Sequence, residues 1–545
     1  METHVEYEIE PAIYERRWKI LVVLCTSLLI VIVGNTSLNV ALPTLARSLD
    51  ASNSQLQWMI DSYALVFAGL LFTAGSIGDR FGRKGALQTG LFVFLVGAAL
   101  ASTADTAAMV IASRAVMGIA AAFVMPSTLS ILTNVFPARE RAKAISIWAG
   151  ISGAGAAIGP IASGWLLEHF WWGSVFLVNV PIILLALVAG AIVLPKSKDP
   201  DKVPIDLPGA ILSIIGLGAL VYGIIEGPHN GWSSTQTLAT FGVSIVALGL
   251  FAVRSLTAAH PMLDLRLFKD RRFSVASGGM TLTFFAMFGT FFLVAQYFQE
   301  VLGYSPLQSG LFQLPMAFVI MSVAPQAPKL VDRFGAARVV PVGLAFTALG
   351  LAIFSQMQVD SAIGFIYLAI VPLAAGMALT MTPLTTLIMA SVPLGRAGVG
   401  SAMNDTTREL GGALGVAVLG SVVTSRYAAG IGSAANFLPA GPRGLAESGV
   451  SGAMVVAERI PGAAGDALAA AARAAFVDGM SAAAMVGAAV VVAAAVASWF
   501  LLPHNVGEQA EDFDGSAHQE ALDALDALGE RQDLEDVLSS SPIID

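Results

Sequence analysis

Fourteen long apolar runs constrain this chain more than any other feature of its sequence. Hydrophobic residues make up 56% of its 545 residues and its mean hydropathy is +0.75, which is more apolar surface than a soluble domain can bury. An α-helix needs about 20 mostly apolar residues to cross a membrane, whereas barrel strands would show short alternating segments. We therefore predict an all-α membrane protein with fourteen transmembrane spans, at about 20–42, 55–77, 86–104, 108–134, 143–168, 173–194, 207–226, 237–254, 273–299, 307–327, 336–357, 361–390, 400–424 and 474–502.

Basic residues are divided unevenly between the two sets of connections that fourteen spans create. One set holds 21 of the 29 lysines and arginines, and the opposite set holds five, four of them in or beside the long last connection. Connections rich in basic residues stay in the cytoplasm, and long connections count for less. Both termini are therefore predicted to be cytoplasmic. Residues 1–15 are acidic and no small-residue cleavage site follows, so the first apolar run is predicted to be span 1 rather than a signal.

Composition also narrows the functional classes. The net charge of −9 comes from residues 506–545, which carry twelve acidic residues against Arg531, so it does not indicate a nucleic-acid-binding core. The sequence has no G-x-x-x-x-G-K-S/T loop for ATP, and its six histidines and Cys25 show no metal-ligand spacing. We expect no enzyme activity, no metal, no cofactor and no nucleic acid partner. The acidic tail is either a disordered solubilising segment or a short helix that binds a cytoplasmic partner.

The stretch GSIGDRFGRKGAL, residues 75–87, concentrates charge in a chain that has little. Only 12% of all residues are charged, yet Asp79, Arg80, Arg83 and Lys84 fall within six residues between two apolar runs. One interpretation is that these cations only set the topology. Topology requires neither the preceding acid nor the glycines on both sides, so a functional interpretation stays open.

Several stretches resemble motifs of one transporter family. GSIGDRFGRKGAL resembles the G-x-x-x-D-R-x-G-R-R/K signature that the major facilitator superfamily carries between spans 2 and 3. RAVMGIAAA in span 4 and GAGAAIGPIASG in span 5 resemble its span-4 arginine motif and its antiporter motif. NVALP, WGSVFLVNVP and HPMLDLRLFKDRRF resemble the fourteen-span drug:proton antiporter branch. The resemblance covers about residues 15–502.

This resemblance implies the major facilitator fold, with two six-helix bundles plus two inserted helices. The stretch APKLVDRFGAARVV, at 327–340, echoes the loop 2–3 motif in the second half, as related bundles should. The predicted organisation is a cytoplasmic N-terminus at 1–19, an N-terminal bundle at 20–194, a cytoplasmic linker and two inserted spans at 195–256, a C-terminal bundle at 257–502 with an extracellular loop at about 425–473, and an acidic cytoplasmic tail at 503–545.

For function, the resemblance implies a secondary active transporter that exports hydrophobic compounds, such as drugs, dyes and antibiotics, from the cytoplasm or the inner leaflet. Export would use proton antiport and alternating access, with the proton gradient and no cofactor. The implied location is the bacterial cytoplasmic (inner) membrane, and the implied partners are a small hydrophobic substrate, protons and the lipid bilayer, with the chain acting as a monomer. Two other functions stay open: an exporter dedicated to one endogenous metabolite, antibiotic or lipid, and a non-transporting membrane receptor or assembly factor.

Two motifs have implied mechanical roles. The loop 2–3 motif would be a conformational clasp, in which an acid accepts hydrogen bonds from a facing helix N-terminus, where the dipole favours an anion. The predicted clasp consists of Gly75, Asp79, Arg80, Gly82, Arg83 and Lys84. The antiporter motif consists of Gly155, Gly159, Pro160 and Gly164. Its glycines permit close packing and its proline favours a kink, so plain helix packing is the alternative role.

Ionisable residues inside spans are the candidates for proton coupling or substrate recognition, because charge at mid-membrane is costly. Arg114 in span 4 is either part of proton coupling or a structural arginine that caps carbonyl groups. Asp61 in span 2 is either an acid that accepts protons or a cap near the interface. Asp405, Arg408 and Glu409 share one face of span 13. They form either a coupling or substrate site or a static buried ion network.

Gly34 departs from the pattern of the branch, whose members commonly carry an aspartate at this place in span 1. The neighbouring Asn35 is polar but does not titrate. If the family's acid carries protons or recognises cations, this chain has to do so elsewhere or not at all. Asp405 and Glu409 are the leading candidates to replace it.

Span 9 carries an aromatic face. Its members, at helical spacing, are Phe284, Phe288, Phe291 and Phe292. They are either core packing or an aromatic wall for a lipophilic cation.

Overall fold

The computed structural model describes residues 11–197, 206–259, 261–392 and 397–502, and every regular element within these ranges is helical. Each predicted span coincides with a long helix, so we number the helices α1 to α14 to match the spans. In order they are Pro11–Ser48, Asn53–Phe81, Arg83–Ser102, Ala107–Val135, Ala138–His169, Ser174–Val193, Leu207–Asn230, Thr235–Thr257, Arg271–Val301, Pro306–Phe334, Ala336–Phe354, Ile363–Ala390, Ala397–Ala435 and Ala463–Leu501. Among the described residues, 13 helices are long and apolar enough to cross a membrane. The remaining helix, α5, has 32 residues.

Three of the long helices are interrupted. α6 breaks at Val178. α10 is divided into shorter pieces near Pro315 and Pro325, as expected where proline removes a backbone donor. α9 ends in a π-helical turn, Tyr297–Val301. Such turns are rare and change the direction in which side chains leave the helix.

The helical assembly has two ends, because consecutive helices alternate in direction. We call them the terminal side, which holds Pro11, Leu501 and the α2–α3 connection, and the far side, which holds the α1–α2 connection. Gly82 alone connects α2 to α3 with a φ of +122°, and Gly335 alone connects α10 to α11 with a φ of +80°. Because a positive φ strains other residues, both copies of the repeated motif need glycine here.

Matching caps begin equivalent helices in the two bundles at the far side. Ser52 Oγ accepts a hydrogen bond from Gln55 N at 3.3 Å, and Gln55 Oε1 accepts one from Ser52 N at 2.9 Å. Ser305 and Gln308 repeat this reciprocal pair at the start of α10. Each capping box satisfies N–H groups that the first helical turn leaves without partners.

Helices α1–α6 form one bundle and α9–α14 form the other. In the first, α2 and α3 pack on α4, and α1 packs on α5; in the second, α9 packs on α13, α11 on α12, and α14 on both α11 and α13. A Cβ on Gly118 of α4 would lie 2.5 Å from the carbonyl oxygen of Tyr63 on α2, so these two helices touch through their backbones. This contact places Arg114, one turn before Gly118, directly against α2.

The segment between α13 and α14 is more helical than the sequence predicted. α13 continues to Ala435 and α14 begins at Ala463, whereas the predicted spans end near 424 and begin near 474. Two short helices, Ala440–Glu447 and Val450–Glu458, lie between them. Hydropathy marks only the membrane-crossing part of a helix, and the alanine-rich start of α14 extends it through high helix propensity.

The inserted helix α7 lies against both bundles, at the seam between α2 and α13. Trp58 Nε1 of α2 donates to Glu226 Oε1 of α7 at 3.3 Å, and Ser421 Oγ of α13 donates to Ile224 O of α7 at 2.6 Å. A small apolar cluster fills the same seam with Ala64, Leu65, Val221, Ile225, Ala413 and Ala417. α7 therefore covers this seam, and α8 packs on α7.

Asp206, at the start of α7, fastens the inserted pair to the chain that enters α9. Its Oδ1 accepts hydrogen bonds from Gly209 N at 3.0 Å and from Arg254 Nε at 2.5 Å, and its Oδ2 accepts one from Met262 N at 3.0 Å. Burial by itself raises the pKa of Asp206, but the hydrogen bonds from Arg254, Met262 and Gly209 outweigh it and hold the pKa below its usual value.

We expect Asp206→Asn to lower the free energy of unfolding by about 1–3 kcal/mol, because it removes the charge that Arg254 pairs with. Chemical denaturation of the purified protein in detergent measures the loss. Asp264→Asn is the control, since Asp264 accepts a hydrogen bond from Arg266 N at a five-residue 3-10 turn on the surface.

The effect of Asp206→Asn should depend on pH in one direction. Because the folded pKa of Asp206 is lowered, its stabilisation is complete above the unfolded value of about 4 and is lost as the pH falls through the folded pKa. The stability gap to wild type should therefore be constant near neutral pH and shrink below about pH 4. A gap no larger than that of Asp264→Asn would contradict the assigned role.

Candidate functional site

The guanidinium of Arg114 is fully buried and is held by the two neighbouring helices. Its Nε donates to the Met59 carbonyl oxygen at 2.9 Å, its Nη1 to the Gly34 carbonyl oxygen at 3.2 Å, and its Nη2 to Asn35 Oδ1 at 3.1 Å. Its central carbon lies 4.3 Å from the centre of the Tyr63 ring, a cation–π contact. All four partners are neutral, so they satisfy the donors of Arg114 without cancelling its charge.

Packing explains why glycine stands at position 34. A Cβ there would lie 2.9 Å from Phe94 Cζ on α3 and 3.7 Å from Met117 Cε on α4, and both of these side chains are completely buried. A carboxylate side chain at this place would have to displace the packed Phe94 ring. The backbone carbonyl of Gly34 instead serves Arg114 directly.

Three charged residues of α13, Asp405, Arg408 and Glu409, lie on one face in the first third of this helix. Arg408 Nη1 lies 3.7 Å from Asp405 Oδ1, and these side chains are 33% and 18% exposed. The guanidinium carbon of Arg408 lies 4.8 Å from the centre of the Phe284 ring on α9. Glu409 is also half-buried. Because charged groups inside spans avoid lipid, we expect this partly exposed face to border a water-accessible space between the bundles.

The phenylalanines of α9 divide between two environments. Phe284 and Phe292 are buried, while Phe288 and Phe291 are half-buried. The Phe284 and Phe288 rings stack with their centres 6.0 Å apart. Packing therefore accounts for the buried pair, and the half-buried pair forms an aromatic edge beside the charged face of α13.

Glu409 interacts electrostatically with residues of the first bundle. Its carboxylate lies close enough to Arg114 and Tyr63 of the first bundle for their charges to interact, as it does to Arg408 on its own helix. Opposite charges attract far more strongly in a low dielectric than in water. The structure thus places Arg114 near the charged residues of α13. The sequence identified these residues only as separate candidates.

Asp61 is completely buried, and neither of its carboxylate oxygens has a hydrogen-bond partner among the described residues. It lies one turn after Gln57, whose Nε2 donates to the carbonyl oxygens of Val416 at 3.1 Å and Ala417 at 3.3 Å on α13. Residues one turn apart share a helical face, so Asp61 lies on the face of α2 that meets the second bundle. It caps no described helix end.

The antiporter motif of α5 packs in two directions. A Cβ on Gly155 or on Gly159 would meet side chains of α1 within the same bundle, at 3.0 Å for Gly155. A Cβ on Gly164 would lie 2.6 Å from Leu307 Cα of α10 in the other bundle. The Pro160 carbonyl oxygen lies equally close to the Cβ position of a facing glycine in α10. The motif therefore lets α5 and α10 touch through their backbones in the far half of the molecule.

The predicted clasp residues lie on the terminal side. Lys84 Nζ donates to the carbonyl oxygens of Ala191 at 2.7 Å and Leu194 at 2.8 Å, at the end of α6 where the helix dipole attracts a cation. Arg83 N donates to the Ser197 carbonyl oxygen at 3.0 Å. The side chain of Asp79 lies outside the described part of the structure, so its acceptor role stays a prediction.

The remaining clasp residues show the internal repeat. The exposed Arg80 places its guanidinium carbon 5.5 Å from the centre of the Phe81 ring, and Arg333 does the same with Phe334 at 5.2 Å. Gly75 packs on α4. The two halves therefore repeat the cation–aromatic contact as well as the glycine turn that follows it.

Sequence reasoning missed an ion pair between the bundles. Arg47 Nη2 at the end of α1 lies 2.6 Å from Glu300 Oε2 at the end of α9. The available signal was weak, because a charge at the end of an apolar run is usually interfacial. Close to this pair, Asn53 Nδ2 of α2 donates to Thr424 Oγ1 of α13 at 2.5 Å. Hydrogen bonds thus close the space between the bundles in the far half.

Comparison with known proteins agrees with these observations. The family model of the Major Facilitator Superfamily matches residues 24–416. The chain is similar to the multidrug efflux pump LfrA of Mycolicibacterium smegmatis, with 38% identity over 88% of this chain and 95% of that protein. It is also similar to the tetracenomycin C resistance and export protein of Streptomyces glaucescens, with 32% identity over 91% of this chain and 94% of that protein.

Solved structures give the same architecture. The crystal structure of a bacterial homolog to the human lysosomal transporter Spinster matches with a TM-score of 0.61 and 17% identity, over 89% of this chain and 98% of that chain. This likeness concerns the fold alone, and it confirms the predicted fold class of two six-helix bundles, here with two inserted helices. With a family model that matches most of its length and relatives of this similarity, the chain belongs to the major facilitator superfamily.

Proposed function

We propose that this protein is a secondary active transporter that exports hydrophobic compounds from the cytoplasm or the inner leaflet by alternating access. The observation that carries this proposal is that Arg114 of one bundle and Asp405, Arg408 and Glu409 of the other lie near the interface between the bundles, whose far half is closed. Charge at this depth is costly and is typical of transport sites. The names of the two relatives, a multidrug efflux pump and an antibiotic export protein, support the same class.

The distribution of basic residues supports one orientation, with both termini in the cytoplasm of a bacterial cell. The terminal side then faces the cytoplasm and the far side faces the outside. In this orientation the closed far half corresponds to an inward-facing conformation, and we propose that the space between the bundles receives substrate from the cytoplasm or the inner leaflet. One chain supplies both bundles, so a monomer is sufficient for the cycle.

We propose that different residues of the central space bind different parts of the substrate. The aromatic edge of Phe288 and Phe291 suits the flat apolar part of a drug, because ring stacking adds to the gain from burial. Asp405 and Glu409 supply anionic groups for a polar or cationic part. The first bundle contributes Arg114 and Asn35 instead of an acid, so cation recognition belongs to the second bundle.

We propose that proton antiport uses Asp61 together with the acids of α13. Burying an ionised carboxylate without a partner costs several kcal/mol, and a proton removes this cost. Asp61 lies at the bundle interface, which opens to the outside when the bundles rock, so it takes up a proton there. Asp405 and Glu409 border the space that opens to the cytoplasm, and they exchange protons with substrate on that side.

The loop 2–3 motif is proposed as the clasp of the terminal side. Lys84 and Arg83 fasten the loop to the end of α6, so the loop moves with the first bundle as one unit. Asp79 is then the group that accepts hydrogen bonds from a helix N-terminus of the second bundle when the terminal side closes.

The transport proposal predicts that cells with the protein accumulate less of several dyes and antibiotics than cells without it. A protonophore should abolish this difference while ATP is still present, because the proton gradient is the energy source. The measurement is fluorescence or radiolabel accumulation across a chemically varied panel of compounds.

Reduced accumulation of only one compound would instead indicate a dedicated exporter. Efflux that survives the protonophore and stops on ATP depletion would overturn proton antiport, and no efflux of any compound would favour a receptor.

The proton sites predict a second result. Glu409→Gln and Asp405→Asn should each lower substrate-induced proton release at unchanged expression, because each variant removes one titratable group from the proposed proton site. Proton release is measured with the purified protein in weakly buffered detergent solution. Asp360→Asn, on the exposed α11–α12 connection, is the matched control. If both α13 variants behave like wild type while Asp61→Asn releases no protons, the whole proton site belongs to the first bundle.

The antiporter motif predicts a third result. Gly164→Leu should reduce export by about tenfold or more, because the new side chain would meet the backbone of Leu307 and overpacking of this kind costs about 1–3 kcal/mol. This penalty applies only while the far side is closed. Gly150→Leu on the same helix is the control, since a Cβ there meets open space. Equal export by the two variants would show that contact between α5 and α10 is not needed for the cycle.

A further inference from the structure

Glu300 is a buried acid of the far-side closure that has a charged partner. Its side chain is 0% exposed, and its Oε2 lies 2.6 Å from Arg47 Nη2, whose side chain is 43% exposed. Arg47 belongs to α1 of the first bundle and Glu300 to α9 of the second. The pair therefore bridges the two bodies that must separate at this end when the molecule opens outward.

The π-helical turn at the end of α9 aims two consecutive side chains at α1. Gln299 Nε2 donates to the Val40 carbonyl oxygen at 2.9 Å, next to the contact between Glu300 and Arg47. Both polar side chains leave α9 from the π-helical turn Tyr297–Val301, and they meet α1 at two places along its last turns.

The second bundle completes the surroundings of Glu300. Ser451 Oγ, on the short helix Val450–Glu458, donates to Glu300 Oε1 at 3.1 Å, and Arg473 Nε of α14 donates to the Glu300 carbonyl oxygen at 3.2 Å. Glu458 of the same short helix lies within electrostatic range of Arg47. The acid is therefore held in place by its own bundle and receives its counter-charge from the other.

We propose that Arg47 and Glu300 form the latch of the far-side gate, closed in this conformation and broken whenever the far side opens. This inference rests on the alternating access of the proposed function. Removing one partner of a buried pair leaves an uncompensated charge, whereas opening the gate returns both groups to water. A partly open gate would leave the buried charge of Glu300 without its partner, which is unfavourable, whereas water solvates both groups when the gate is fully open. The gate therefore favours two states, closed and fully open.

Two alternatives give different expectations for the same variants. If the pair were only a structural brace, breaking it would lower stability without changing how often the far side opens. If backbone packing between α5 and α10 alone held the gate, removing the pair would change nothing at this end. Accessibility of a buried interface position separates these cases from the latch.

A single thiol reports on the gate. Cys25 is the only cysteine, so Cys25→Ser gives a background without thiols. Val416→Cys then places a thiol on α13 at a position that is 0% exposed in the closed interface with α2. Its labelling rate by a membrane-impermeant maleimide, added from outside to intact cells, measures opening of the far side and requires neither substrate nor a proton gradient.

In this background Arg47→Glu should raise the labelling rate by about tenfold or more, because two acids then repel each other across the gate. Glu300→Arg should do the same. The double variant Arg47→Glu with Glu300→Arg should restore a rate near that of the parent, since the pair is re-formed in reverse. Arg47→Gln and Glu300→Gln serve if a charge reversal fails to give monodisperse protein.

The control breaks a different ion pair on the same side. Arg443→Glu disrupts the contact of Arg443 with Glu447, which lies within one short helix, and should leave labelling unchanged. Gly164→Leu should raise labelling without touching the latch. If Gly164→Leu raises labelling while Arg47→Glu and Glu300→Arg do not, or if the double variant labels as fast as the single ones, the latch is wrong and alternating access stands. If none of these variants changes labelling, both proposals fail.

Discussion

The cost of placing charge in hydrocarbon decides where the ionisable side chains of this protein lie and what surrounds them. Arg114 is tolerated because neighbouring helices supply carbonyl oxygens, an amide and an aromatic face that match its donors. Those acceptors are available only because α1, α2 and α4 approach closely at small residues. Helix packing and charge burial are therefore one problem in the first bundle, and a change in either disturbs both.

Closure of the far side uses three kinds of contact at three places along the interface. Between α5 and α10 the backbones touch through Gly164, which requires the absence of a side chain. Between α2 and α13 the amide of Gln57 donates to backbone carbonyl groups. Between α1 and α9 an ion pair bridges the gap. Apolar packing alone is non-directional, whereas these three contacts fix the two bundles in one relative position.

Much of the fold and part of the site follow from the sequence. Apolar runs predict the fourteen helices because hydrocarbon admits few other structures. The positions of Arg114 and of the charged face of α13 follow from the same cost of charge. The meeting of Glu409 with Arg114, the pair of Arg47 with Glu300 and the facing of Asp61 toward α13 do not follow, because they depend on how two bundles are placed against each other. Hydropathy also does not predict that α14 begins at Ala463, because the first turns of this helix precede the apolar run that marks the span.

Because glycine stands at position 34, the first bundle lacks the acid that members of the branch commonly carry there, and this affects the balance of charge between the two bundles. The hydrogen-bond partners of Arg114 are neutral, so its positive charge is not cancelled by them, and Glu409 of the second bundle lies close enough for its charge to act on Arg114. Attraction between the bundles then depends on whether Glu409 is ionised and on what lies between the two charges. A proton on Glu409 or a cationic substrate beside it weakens this attraction, and either event changes the relative free energy of the closed and open arrangements. In the proposed cycle, substrate and proton would therefore act through the same central charges to shift the balance between the closed and open arrangements.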